Sequence, residues 1–176
     1  MKKLIWNMAV SLLFFSTMPA FCQSDPGGSA IPDEEYDIYK VILANLLEWC
    51  EVDSQTLSGA WPEADIMTSG GRGRLDRDLL KDLNAKNLKR YQLSNAFLAK
   101  MARGSENNRS SRQQVTFSRV GFDREQRHAL IVVGRTFYYP EDVMNEGNYV
   151  CLEEKNGKWT VVNTYRAWSM RLGKIR

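Results

Sequence analysis

His128 is the only histidine in the chain, so any Ser-His-Asp or Cys-His scheme has to pass through it. It opens an apolar run beside Arg127, and Asp123 and Glu125 lie in the turn just before it. Two arrangements would give it chemistry. Cys151 could act as nucleophile if adjacent strands bring it close in the right register, or a nearby carboxylate could orient the ring. Neither Cys50 nor Cys151 sits in a recognisable nucleophile motif, and no G-x-S-x-G is present. The plainer expectation is a strand-end histidine open to water. The sequence therefore assigns no catalytic residue, and a small extracytoplasmic hydrolase using His128 stands as the alternative.

Metal and cofactor chemistry find little support. One histidine and two distant cysteines cannot build a closed zinc site without carboxylates. No D-x-[DN]-x-[DN]-G calcium pattern appears. No cofactor is expected. The run Gly70-Gly71-Arg72-Gly73-Arg74 precedes a predicted helix, and a helix N-terminus can hold an anion on its free N–H groups. No buried strand leads into the run, and the Lys-Ser/Thr pair of a P-loop is missing. It reads as a mobile linker in which Arg72 and Arg74 are candidates for anion contact. Ligand-binding residues are otherwise unassigned. Nucleic acid is not an expected partner, since no recognition motif is present.

The elements that would hold these residues start after an export signal. Met1-Lys2-Lys3 is positive, Met8 to Phe15 is a dense apolar core, and Ser16 to Cys22 is a less apolar exit. That order is the plan of a secretory signal peptide. The core is shorter than the roughly 20 residues of a membrane-spanning helix, so no stable membrane anchor is expected. Cleavage is placed after Cys22, with lipidation of Cys22 as the rival. The protein is then periplasmic or secreted. Removing residues 1–22 leaves 154 residues, enough for one domain, and lowers the net charge from +3 to +1. Residues 23–65 hold ten acidic groups and one basic, whereas residues 66–127 hold fourteen basic and six acidic. The two segments either face each other or are solvated, and the basic one is the candidate for an anion-binding surface.

Residues 23–31 read as a flexible leader, residues 32–168 as a single domain and residues 169–176 as a basic tail. Tyr36, Tyr39, Leu43, Leu46, Leu47 and Cys50 recur at steps of three and four, which predicts a helix from about Asp33 to Trp49. Residues 51–74 read as irregular. A second helix is predicted from Asp76 with Leu79, Leu80 and Leu83 inward, its Asp and Lys residues forming a solvated face. A third is predicted over 94–103, followed by a polar loop to Gln114. Strands are then predicted at 115–122, 128–138, 148–155 and 158–166, with a loop over 139–146. The second of these holds a continuous apolar centre, Ala129 to Val133, expected to be covered on both faces. Asn156-Gly157 predicts a type I′ hairpin. That turn places Val150, Leu152, Trp159, Val161 and Tyr165 on one face and Tyr149, Cys151, Thr160, Val162 and Thr164 on the other. The expected fold is α+β, with N-terminal helices on one face of a four-stranded antiparallel meander. Cys50 and Cys151 then lie on opposite sides of the sheet and are expected to be unbridged.

Phe117-Ser118-Arg119-Val120-Gly121-Phe122-Asp123, Ala129-Leu130, Gly147-Asn148-Tyr149-Val150 and Gly157-Lys158-Trp159-Thr160-Val161 resemble a family of small secreted bacterial proteins of no assigned function. Asp82 and Asn87 fit the same pattern loosely, and the likeness covers about residues 75–165. Members of that family often carry a Cys- and Gly-rich stretch where this chain has Thr136 to Pro140, so a disulfide there is absent. The resemblance implies export and an α+β fold and carries over no catalytic residue. At the level of fold the pattern is also similar to cystatin-like and nuclear-transport-factor-like domains, which does not fix function. The expected function is a non-catalytic exported binding or interaction module for a peptide, protein or small ligand. The sequence leaves its oligomeric state open.

Overall fold

The computed structural model describes residues 30–46, 50–62, 65–68, 71–101, 112–171 and 173. The expected signal peptide and most of the expected leader lie outside the described residues. In chain order the elements are α1 (Asp33–Leu46), β1 (Glu51–Val52), β2 (Asp65–Thr68), β3 (Gly71–Arg74), α2 (Arg77–Lys86), α3 (Asn95–Met101), β4 (Arg112–Phe117), β5 (Gly121–Phe122), β6 (His128–Tyr139), β7 (Asp142–Lys155) and β8 (Lys158–Arg171). The main sheet has the order β1-β4-β6-β7-β8, and β5 also pairs with β6. Its ladders are antiparallel apart from the short parallel β1–β4 pair. The fold is α+β, as expected.

The helices are not all on one face. Ala129, Ile131 and Val133 of β6 point to one side and Leu130 and Val132 to the other, and all five are buried. A strand apolar on both faces has to be covered on both. On one side Ile38, Tyr39 and Ile42 of α1 and Phe97 of α3 pack on Val115, Phe117, Ile131, Val150 and Leu152. On the other, Leu79, Leu80 and Leu83 of α2 pack on Leu130, Val132 and Tyr149. The expectation of helices on one face is thus corrected to a sheet between two helical layers. Ile31, the last residue of the expected leader, is already in the core of the α1 side.

The sheet also has more strands than the four expected. Residues 51–74 are not irregular throughout: β1 adds to β4, and β2 with β3 makes a separate hairpin. The predicted strand over 115–122 is two strands, broken at Ser118 to Val120, and Gln113 and Gln114 of the expected loop belong to β4. The expected loop over 139–146 shrinks to the turn Pro140-Glu141 between Tyr139 and Asp142. Proline is tolerated there because a hairpin tip has no ladder hydrogen bond to donate. β8 runs on to Arg171, so the expected tail begins inside a strand.

The Asn156-Gly157 hairpin forms with φ of 55° and 75° at its two central residues. Lys155 faces Lys158 and Leu152 faces Val161, as the turn predicts. One residue further the register changes. Val162 is an extra residue on β8, so Cys151 faces Asn163 and Tyr149 faces Tyr165. Tyr165 therefore joins the α2 side, not the Val150–Leu152 side. Nothing lies within 4 Å of a Cβ built on Gly157. Gly157→Ala should then cost only the backbone strain of a positive φ, about 1 kcal/mol. Urea unfolding of the variant checks this.

Candidate functional site

The run Phe117 to Asp123 is densely hydrogen-bonded. β4 leaves the ladder after Phe117, and β5 rejoins β6 at Gly121, which faces Leu130. Backbone groups freed by such a break need partners if buried. Ser118 supplies one, its Oγ accepting the Val132 N–H at 2.9 Å and donating to the Arg119 carbonyl at 2.8 Å. Asn87, just past α2, accepts the Arg119 N–H at 2.7 Å and donates to the Leu83 carbonyl at 2.7 Å. Asp82 of α2 accepts the Phe122 N–H at 2.8 Å.

Glu35 of α1 completes the lock. Its carboxylate accepts from Arg119 Nε at 2.9 Å, Arg119 Nη2 at 2.8 Å, the Val120 N–H at 2.9 Å and the Tyr39 hydroxyl at 3.2 Å. The two charged side chains are 1% and 7% exposed. The guanidinium also lies over the Tyr91 ring, 4.5 Å from its centroid. Burial, and then the Glu35 charge, hold the Tyr39 hydroxyl well above its usual range. This cluster ties α1, α2 and the sheet together, and its polar groups are occupied by one another. Its chemistry is architectural.

His128 has a real partner. Its Nδ1 lies 2.6 Å from Asp123 Oδ2, and Asp123 Oδ1 accepts the N–H groups of Arg127 and His128 at 2.8 and 3.1 Å. Burial pushes the Asp123 carboxyl up, but the hydrogen bonds from His128 and Arg127 outweigh it and hold the carboxyl below its ordinary value. A depressed carboxyl stabilises the fold fully above its unfolded value, about pH 4, and that stabilisation is lost as pH falls through the folded value. Asp123→Asn should thus flatten the loss of stability below about pH 4. Urea midpoints across the acid range measure it.

Cys151 does not complete a catalytic pair. It faces Leu130, while His128 faces Glu153 two places along β7. The two residues are diagonal neighbours about 7–8 Å apart, and the hydrogen bond of His128 Nδ1 goes to Asp123. Burial pushes the Cys151 thiol up to about 11, so it is protonated at neutral pH and a poor nucleophile. The Cys50 thiol is also pushed up to about 11 by burial. Cys50 packs with the α1 side and Cys151 with the α2 side, and both are free. Thiol titration of unfolded, unreduced protein should count both.

The described part of the glycine-rich run is a strand rather than a linker. Gly71 to Arg74 forms β3, and the N-terminus of α2 is filled by the Asp76 side chain, which accepts the Asp78 and Leu79 N–H groups at 2.8 and 3.1 Å. Arg74 is exposed, and the side chain of Arg72 lies outside the described residues. Among the described residues no three His, Cys, Asp or Glu side chains gather as a metal site, and no helix is long and apolar enough to cross a membrane.

Two hollows lie along the outer face of α2. One, of about 430 Å³, is lined by Asp78, Lys81, Asp82, Lys86, Phe122 and Arg124, among others. Another, of about 500 Å³, is lined by Trp61, Arg77, Asp78, Leu80, Lys81 and Asn84. Asp78 and Lys81 line both, so the two hollows adjoin across these side chains as a divided trough on the helix surface. Its walls are fixed from within. Lys86 pairs with Asp82 at 2.7 Å, donates to the Val120 carbonyl at 3.1 Å and lies 4.8 Å from the Phe122 ring centroid. Asn84 holds the Trp61 backbone through bonds of 2.8 and 2.9 Å. No family model, curated protein or solved structure matches the chain. The α2 charges form the solvated face with local pairing that the sequence predicts, with Arg77, Asp78 and Lys81 exposed and Asp82 paired to Lys86, and Trp61 and Phe122 beside them add the aromatic lining.

Proposed function

We propose that the protein is an exported binding module without catalytic activity, and that a short peptide or small zwitterionic ligand lies in the trough on α2. The observation that carries this reading is the divided trough itself, two adjoining hollows that share Asp78 and Lys81. Carboxylates and cations alternate around its aromatic walls. Mixed charge beside aromatic surface suits a ligand with both signs better than a polyanion. The walls are already bonded in place, which limits the ordering cost of binding. Export rests on the Lys2-Lys3 start and the apolar core after it. Native mass spectrometry of gently purified protein tests the reading. A retained small ligand that is lost in Lys81→Glu supports it, and a retained ligand indifferent to that change counts against it.

The bond between His128 and Asp123 favours a second reading, a hydrolase in which Asp123 orients His128 as general base. Hydrolysis of peptide or ester substrates that disappears in His128→Gln would establish it. A silent His128→Gln variant would remove it.

A further inference from the structure

We propose that the trough grips its ligand by a carboxylate, held between Lys81 and Arg124 beside the Phe122 ring. This step rests on the binding reading above and names the group that the site recognises. Six charged side chains line the Phe122 hollow: Asp78, Lys81, Asp82, Lys86, Asp123 and Arg124. Three of them are engaged within the protein. Asp82 pairs with Lys86 at 2.7 Å and accepts the Phe122 N–H, and Asp123 holds His128 and the Arg127 N–H. Asp78, Lys81 and Arg124 are exposed, and their side chains have no partner among the described residues. Asp78 and Lys81 lie one turn apart on α2 but form no ion pair with each other. Glu125, next to Arg124, does not line the hollow.

An anion between Lys81 and Arg124 would satisfy both free cations at once. The two oxygens of a carboxylate suit the flat guanidinium fork and leave lone pairs for the ammonium. The remaining charges select a single negative charge over a dianion. Asp78, Asp82 and Asp123 line the same hollow, so a phosphate would meet three carboxylates as well as the cations. Ala85 and Phe122 offer the ligand's carbon chain an apolar surface. Asp78 lines the Trp61 hollow too, so a ligand anchored at Lys81 and Arg124 passes the free Asp78 carboxylate on its way to Trp61. An ammonium or amide N–H of the ligand finds its acceptor there. A peptide therefore lies with its carboxylate in the Phe122 hollow and the rest of its chain toward Trp61. A free C-terminus and an acidic side chain share this chemistry.

Amide NMR titration of the purified protein tests the proposal with three probes: trialanine, its C-terminal amide, and the amide of alanyl-alanyl-glutamate. The free acid should shift residues 78–86 and 122–126 and bind at least ~10-fold tighter than its amide at low salt, with the advantage shrinking as salt rises. Arg124→Gln should erase that advantage by weakening the acid alone. The fold should be untouched, because the Arg124 side chain is exposed and unbonded. The glutamate amide assigns the source of the carboxylate. Binding as tight as the free acid gives it to a side chain, and binding as weak as the neutral amide gives it to the C-terminus. Equal binding of acid and amide on these residues, or an acid whose affinity is unchanged in Arg124→Gln, would overturn the carboxylate grip and leave the trough reading standing. So would inorganic phosphate that displaces the acid at equal concentration. No shifts on these residues with any of the three peptides would overturn both.

Discussion

Glu35→Ala should lower the unfolding free energy by about 3–5 kcal/mol, the range expected when one partner of a buried ion pair is removed. The size follows from what is stranded. Arg119 would keep a buried charge with no carboxylate and the Val120 N–H would lose its acceptor, while the Tyr39 hydroxyl would keep the Ser118 carbonyl at 3.0 Å. A domain of this size has a total stability of only about 5–15 kcal/mol, so the variant would sit near the edge of folding. Arg119→Met should also destabilise, because Glu35 is then the stranded charge. Combining Glu35→Leu with Arg119→Met should recover part of the loss, since the lone charge is gone while the Val120 N–H remains unmet. A double-mutant cycle in urea reads the coupling directly. Losses under about 1 kcal/mol would mean that the pair is not the lock described here.

Gly121→Ala should be comparably damaging for a different reason. A Cβ at this position would lie 2.5 Å from the Leu79 carbonyl oxygen and 2.6 Å from the Leu83 nitrogen. Both are backbone atoms of α2, so no rotamer change relieves the clash. The helix would have to withdraw, loosening Leu79 and Leu83 from the sheet at a cost of about 3 kcal/mol. Withdrawal also spreads the trough, so ligand binding should weaken even where the fold survives. Gly147 offers the contrast, because its missing Cβ leaves room for the Trp168 ring, a side chain that can swing aside. Thermal unfolding of both variants should therefore place Gly121→Ala lower than Gly147→Ala.

The parts of the fold legible in the sequence are those written locally. Asn156-Gly157 specifies its hairpin because few other pairs accept two positive φ values. Ala129 to Val133 announces a strand buried on both faces. That same run argues against helices on one face only, since two apolar faces need two covers. Cys151 falls opposite the Leu152 side by simple alternation, which no later bulge can alter. The bulge at Val162 is invisible because β8 is an edge strand, where an extra residue disturbs one ladder only.

The lock and the trough were less legible because their partners are far apart in the chain. Glu35 looks like one more acid in the first turn of α1, where the helix dipole alone would favour it. Its partner Arg119 is 84 residues away. Phe117 to Asp123 could be recognised as a pattern, but nothing in the pattern tells an architectural arginine from a functional one. Gly71-Arg72-Gly73-Arg74 reads as linker because glycine weakens strands, yet it pairs with β2. The trough needs Trp61, α2 and Phe122 brought together, which no local spacing records.

Amide NMR of the purified protein titrated with a mixed set of free tripeptides tests the binding reading most directly. Shift changes should gather on residues 78–86 and 122–126, shrink in Lys81→Glu and persist in His128→Gln, with the tripeptides recovered intact. Shifts gathered elsewhere, no shifts at millimolar peptide, or tripeptide cleavage that stops in His128→Gln would contradict it.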